Sequence, residues 1–262
     1  MMKIALGVEY NGTHFKGWES QPGHRTVQAC LEKALSKVAN TAIKVIAAGR
    51  TDTGVHAMEQ VVHFDTEVSR ETHGWMLGAN SSLPKDIAVH WAQGVSDDFH
   101  ARFSAVARRY RYLILNRRAR PGVLSGNVSW CPLPLDVERM HGAAQALLGE
   151  QDFNAYRATA CQSPSARRRM NSISVTRDRD TVIIEVEANA FLHHMVRNIA
   201  GVLIAIGTGA RSPSWAAEVL ASKDRRQGGI TASPDGLYLV EAKYPASAQL
   251  PQRGGAGLGF QL

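Results

Sequence analysis

Residues 48–56 read AGRTDTGVH, a polar segment between two apolar runs. Gly49 and Gly54 bracket Arg50-Thr51-Asp52, so the backbone there is free to turn tightly and to approach a ligand closely. The flanking runs, Ile43–Ala48 and Gln60–Phe64, read as strands, which makes the segment their connection. Upstream, Lys3–Tyr10 alternates Ile4, Leu6, Val8 and Tyr10 on one face as a half-buried strand, and Asn11-Gly12 supplies a turn. Behind Thr26, a candidate N-cap, the period lengthens: Val27, Cys30, Leu31, Ala34, Leu35 and Val38 recur at helical spacing. A short helix near Glu71–Ala79 and a strand at Ile87–Gln93 complete the order β-α-β-β-α-β.

A second set of elements begins at Arg109–Leu115, where Tyr110, Tyr112 and Ile114 share one face and Arg109 and Arg111 point to the other. A helix over Asp136–Leu148 follows, then strands at Ser172–Arg177 and Thr181–Ala188. A helix from about His194 to Ile206, a shorter one opening at Pro213-Ser214 and a strand at Leu237–Tyr244 end the pattern. Strands and helices without regular βαβ alternation predict an α+β fold. The element order predicts two lobes, each with a mixed, mainly antiparallel sheet and helices, meeting at a cleft. The boundaries are 1–104 and 105–246, followed by a Gly/Pro-rich tail over 247–262.

With 262 residues and 44% hydrophobic content, the chain is long enough for one large or two moderate cores. It has no apolar stretch of about 18 residues, and MMKIALGVEYNG lacks the long apolar region of a secretory signal. The expectation is a cytoplasmic protein with no membrane segment. Cys30, Cys131 and Cys161 are odd in number and widely separated, as free thiols are. The formal net charge is +7, and 22 of the 30 basic residues are Arg. Phe99–Pro121 holds seven Arg and no acidic residue. The planar guanidinium fork suits phosphates and stacks on bases, so the bias points to nucleic acid, with Arg167–Arg169 as a second basic run.

If Arg50–Asp52 is extended, the period of two puts both side chains on one face, where the guanidinium favours the charged carboxylate. Such a carboxylate suits attack on an electrophile; the same pair also serves simply to pin a turn. His56 and His63, with His193 and His194, fit no common zinc spacing, and adjacent histidines in a regular element point apart. His193 and His194 read instead as helix-start residues lining a cleft. GxSxG, Walker and GxGxxG motifs are absent, leaving serine hydrolase, NTPase and dinucleotide readings without their signals. A hydrolase would pair Asp52 with Glu59. Tyr110 sits where a ring can stack on an unpaired base, and Phe99-His100-Ala101-Arg102-Phe103 combines aromatics with a cation; both also read as packing residues.

Six segments in order, YNGTHFKGW (10–18), AGRTDTGVHA (48–57), QVVHF (60–64), FHARF (99–103), RRYRY (108–112) and NAFLHHMVRN (189–198), resemble the tRNA pseudouridine synthase A family. The resemblance runs from Lys3 to about Tyr244. It implies an isomerase acting on uridines at positions 38–40 of the tRNA anticodon stem-loop, with Asp52 as nucleophile on a flipped base. Arg50 would pair with Asp52, while Tyr110 and Arg197 contact the substrate. Phe99, His100, Ala101, Arg102 and Phe103, with Arg70, Arg118 and Ala160-Cys161-Gln162-Ser163-Pro164, would meet the RNA. It further implies a homodimer and neither a metal nor an organic cofactor. The chain departs from the family pattern at Glu19, at Thr53, at Met58-Glu59 and at Pro164-Ser165-Ala166. An RNA-binding protein without catalysis and a uracil-releasing hydrolase are the competing readings.

Overall fold

In a computed structural model of the protein, which describes residues 1–251, the long periodic runs take the elements their periods predict. Strand β1 (Met2–Tyr10) buries Ile4, Leu6, Val8 and Tyr10. Helix α1 (Val27–Ala39) is capped by Thr26, whose hydroxyl accepts the Ala29 N–H. Strands β2 (Ile46–Ala47) and β3 (His56–Thr66), helix α2 (Thr72–Asn80) and strand β4 (Ile87–Val95) follow in the expected order. The run at 43–48 is shorter as a strand than its composition predicts. The N–H groups of Ile43 and Val45 are taken by the α1 side chains Ser36 and Glu32, at 2.8 and 3.2 Å, so only Ile46–Ala47 joins the sheet.

The second half contains β5 (Ala107–Asn116), β6 (Ser129–Cys131), α3 (Val137–Ala144), β7 (Gly149–Asp152), β8 (Arg167–Asp178), β9 (Thr181–Ala188), α4 (Met195–Gly207), α5 (Trp215–Ser222) and β10 (Leu237–Lys243). Asp136 caps α3 by accepting the Arg139 N–H at 3.0 Å, and the expected helix over 136–148 tightens into a 3-10 turn at Gln145–Leu147. β6 and β7 have three and four residues, too few to show an alternation. Of the tail expected over 247–262, residues 252–262 lie outside the described residues.

The α+β class holds, with one difference in the sheet. The strands form a single sheet in the order β4-β1-β3-β10-β5-β9-β8-β7, with β2 added to β3 and β6 to β5. The joint is β10. It runs parallel to β3, with Tyr238 opposite His56, and antiparallel to β5, with Leu239 opposite Tyr110. Both β3 and β5 would otherwise present unpaired backbone groups there, and the last strand satisfies both edges. One consequence bears on function. The start of β3, just after the Arg50–Asp52 loop, lies two strand spacings, roughly 10 Å, from Tyr110 on β5.

All five α-helices contribute to one apolar cluster with alternate residues of the strands, Tyr110, Tyr112 and Ile114 among them. The intervening residues of β5 face the other way. There Arg111 donates to Glu185 at 2.7 Å, Arg109 to Glu241 at 2.9 Å, and Lys243 pairs with Glu187 at 2.6 Å. Arg109 and Arg111, read from sequence as part of an RNA footprint, are thus matched by acidic partners on β9 and β10. A cross-strand ladder of opposite charges neutralises that stretch of the sheet.

Candidate active site

The loop over 48–55 is held from several sides. The Gln60 side chain, fully buried, donates to the Gly49 carbonyl at 2.5 Å and accepts the Gly49 N–H at 3.4 Å. The Trp18 N–H reaches the Thr51 carbonyl at 3.0 Å, and the hydroxyls of Tyr10 and Thr51 share a 2.8 Å hydrogen bond. Gly17, at φ 85°, comes so close that a Cβ there would lie 2.9 Å from the Thr51 carbonyl oxygen. These contacts fix the backbone around Asp52 without using its side chain. Among the described residues Arg50 and Asp52 form no ion pair with each other.

Arg50 instead forms an ion pair with Glu19 and is two-thirds exposed. Glu19 is one of the residues at which the chain departs from the family pattern, and its carboxylate meets the guanidinium that the sequence reading assigned to Asp52. The partners of Asp52 come from the start of α4. His193 Nε2 lies 3.3 Å from Oδ1, while His194 Nε2 and Arg197 Nη1 each lie 3.5 Å from Oδ2. The Asp52 side chain is 24% exposed and the Arg197 side chain 14%. Arg197 is anchored by its Nε, which donates to the Ala232 carbonyl at 2.8 Å.

Adjacent histidines converge because the chain is not regular there. His194 takes a left-handed conformation at φ 60°, which turns both imidazoles toward Asp52 with ring centres 4.0 Å apart. Burial, opposed by Asp52 and reinforced by His193 and Arg197, holds the His194 pKa below its ordinary value, so this ring is neutral at pH 7.

Asp52 opens into a cavity of about 930 Å³ lined by both halves of the chain. Its walls include Arg50, Arg102, Tyr110, Arg197 and the whole of Ala160–Pro164, so most of the residues singled out from sequence meet in one place. A pocket of this size suits a nucleoside and part of its flanking backbone. Phe191 packs edge-on against the Tyr110 ring, centres 4.9 Å apart. Burial, with Tyr10 and the Asp52 charge adding to it, pushes the Tyr110 hydroxyl well above its ordinary pKa, and it is a hydrogen-bond donor at neutral pH.

Two arginines that sequence reasoning left unassigned organise the rim. Arg108 donates to the carbonyls of Ala48, Arg102, Ala105 and Asn189, tying three loops together. Arg168 donates to the Ser163 hydroxyl at 2.8 Å and the Ser165 carbonyl at 3.0 Å, bracing the segment where Pro164-Ser165-Ala166 departs from the family pattern. The repeated arginines in RRYRY and RRR signalled both, but only the fold separates those that brace loops from those that pair with glutamates.

Other expected RNA contacts fall elsewhere. Phe99 and Ala101 are buried, Phe99 against Tyr244, so their side chains present no surface to a ligand. Phe103 is 75% exposed, stacked on His100, with the Arg102 guanidinium over its ring. Arg70 donates to the Val38 carbonyl at the end of α1, and neither it nor Arg118 lines the cavity. Glu59 accepts a hydrogen bond from Trp91 and also lies outside the cavity lining, which removes it as a catalytic partner for Asp52.

His56 and His63 have structural partners. His56 Nδ1 accepts the Gly12 N–H at 3.0 Å, with Nε2 3.1 Å from the Asp235 carbonyl. His63 Nδ1 accepts the Ala101 N–H at 3.1 Å, anchoring the loop that carries Arg102 and Phe103. Burial, with His100 and Lys3 adding to it, lowers the His63 pKa to about 4. The folded protein thus resists a proton that the unfolded chain accepts near pH 6.5, so stability is unaffected above that pH and is lost as pH falls from 6.5 toward 4. The loss expected from this residue is at most about 3 kcal/mol. Thermal unfolding from pH 7.5 to 4.5 should show it, with a visibly flatter slope in His63→Gln.

A mixed sheet with an ion-paired, partly buried carboxylate opening into a cavity that holds a nucleoside is the architecture of an enzyme. Residues 7–104 and 143–245 match the tRNA pseudouridine synthase family, and the chain belongs to that family of isomerases. It is 56% identical over 251 residues to the tRNA pseudouridine synthase A of Nitrosococcus oceani, covering 96% of this chain and 97% of that one. It is 54% identical to the Coxiella burnetii protein of the same name, at the same coverage. The Pectobacterium atrosepticum relative is 55% identical over 96% of this chain and 89% of its own. Among solved structures, a Cbf5-Nop10-Gar1 complex aligns with 90% of this chain and 57% of its own at a TM-score of 0.36 and 11% identity. Among the described residues, no helix is long and apolar enough to cross a membrane.

Proposed function

We propose that the protein converts uridine to pseudouridine at positions 38–40 of the tRNA anticodon stem-loop, in the cytoplasm and as a homodimer. The observation that carries this reading is Asp52 held at the floor of a nucleoside-sized cavity with Arg197 beside it and Tyr110 in the wall. The reaction breaks N1–C1′, turns the detached base, joins C5 to C1′ and moves the C5 proton away, with N1 ending protonated, so that the product is an isomer of the substrate. It has no net redox change, so a carboxylate in a pocket is sufficient in kind.

Asp52 attacks the flipped nucleotide or assists elimination at its sugar, and Arg197, 3.5 Å from Oδ2, holds the carboxylate in position. Tyr110 supplies a flat wall and a hydroxyl donor for the base. Arg50 stays at the mouth of the cavity, where its pair with Glu19 opens to a phosphate or fills the space vacated by the base. Arg102, Phe103 and Ala160–Pro164 then grip the flanking RNA. Extruding a base costs a few kcal/mol, least near a loop, which fits an anticodon-arm site.

Unmodified tRNA transcripts incubated with the protein, without added metal or nucleotide, should acquire pseudouridine at 38–40 when mapped at nucleotide resolution. Release of free uracil would point to hydrolysis, and the absence of any product on several tRNAs would refute the proposal.

A further inference from the structure

Asp52, His193 and His194 each offer one donor atom, and these atoms all lie within 4.8 Å of one another. The adjacent-histidine argument against metal binding fails here, because the left-handed residue His194 brings both Nε2 atoms to the same carboxylate. In a tetrahedral zinc site the bonds to nitrogen and oxygen are about 2.0–2.2 Å, which sets neighbouring donors roughly 3.3–3.6 Å apart. His193 Nε2 lies in that window from Oδ1, at 3.3 Å, and His194 Nε2 stands 3.5 Å from the other oxygen, so a shared ion draws the three donors, which lie within 4.8 Å of one another, closer by up to about an ångström. Two imidazoles and one carboxylate with a fourth corner open to solvent is a donor set that zinc takes. Magnesium and calcium require about six oxygen ligands and are poorly served by it.

The charge balance allows entry. Arg197 lies on the Oδ2 side with His194, Oδ1 faces His193 away from that guanidinium and is the oxygen an ion takes, and the guanidinium of Arg50 is already matched by Glu19. His193 is 42% exposed, so the ion has a path from the cavity.

We propose that Asp52, His193 and His194 form a binding site for a zinc-class divalent cation, and that an ion bound there caps the carboxylate and competes with the flipped nucleotide. The site is inhibitory because it consumes the group the reaction needs. Its existence as a metal site does not depend on the proposed reaction.

The test is zinc binding to the full chain by calorimetry, with no RNA present, alongside circular dichroism to confirm folding. Wild type should bind one zinc that excess magnesium does not displace. His193→Ala and His194→Asn, the latter chosen because asparagine tolerates the left-handed conformation, should each weaken binding at least tenfold. Cys161→Ser, which removes a thiol in the same cavity, should leave it unchanged. Unaltered affinity in the double histidine variant, loss in Cys161→Ser alone, or displacement by magnesium would each overturn the assignment. In the turnover assay, zinc should inhibit wild type, and raising the tRNA concentration or adding chelator should relieve it; inhibition that persists at high tRNA overturns the capping role.

Discussion

Asp52→Asn should lower turnover by about 10⁴-fold or more, a loss of roughly 5.5 kcal/mol of transition-state stabilisation, while tRNA affinity stays within a few-fold of wild type. The substitution is nearly isosteric and removes only the charge and the nucleophilic oxygen. Folding should survive it, because the loop is fixed by Gln60 on Gly49, by Trp18 and Tyr10 on Thr51 and by Phe15 on Gly54, none of which uses the Asp52 side chain. An uncharged amide beside Arg197 and two imidazoles neither attacks carbon nor balances a developing cation. Single-turnover conversion of transcript, with binding measured separately by filter retention, separates chemistry from recognition. A variant that keeps more than about one per cent of wild-type turnover would remove Asp52 from the reaction.

The parts of the fold legible in the sequence are those governed by local periodicity. The alternation in β1 and β5 and the helical spacing behind Thr26 and Asp136 each answer to neighbours within a few residues. What the sequence withheld depends on distant partners. The fusion of two sheets into one is decided by β10 returning more than a hundred residues after β5 to pair on both sides. Likewise Ile43–Ala48 has the composition of a strand, but Ser36 and Glu32 on α1 take its hydrogen bonds first.

The site divides the same way. Asp52, Tyr110 and Arg197, which lie in motif segments, and Ala160–Pro164, which the family resemblance implies, share a cavity. The partner of Asp52 was misassigned because sequence spacing suggests Arg50, two residues away, whereas the loop turns that side chain outward to Glu19. The FHARF run shows the limit of motif reading at residue level: two of its five side chains, Phe99 and Ala101, are committed to the core, and they hold Arg102 and Phe103 where a ligand can reach them.

Arg197→Ala should reduce turnover by about 10²- to 10³-fold, with tRNA affinity falling much less. Arg197 is the only guanidinium within ion-pairing distance of Asp52 among the described residues, and its side chain is 14% exposed, so solvent screens the pair weakly. Its Nε also donates to Ala232, whose N–H in turn donates to the Arg197 carbonyl at 3.1 Å, so the side chain is held in place before substrate arrives. Truncation to alanine removes a preorganised cation from beside a carboxylate that must stay charged, a change felt in the chemical step more than in RNA capture. Lysine keeps the charge but loses the fork that serves Ala232 and Asp52 together, and Arg197→Lys should fall between wild type and alanine. The cavity beside the missing group is open, so millimolar guanidinium should restore part of the activity of Arg197→Ala and none of that of Asp52→Asn. Equal loss in Arg197→Ala and Arg197→Lys, with no guanidinium rescue of Arg197→Ala, would mean that Arg197 acts only through the fold, and a drop in tRNA affinity matching the drop in turnover would mean that it serves to bind RNA.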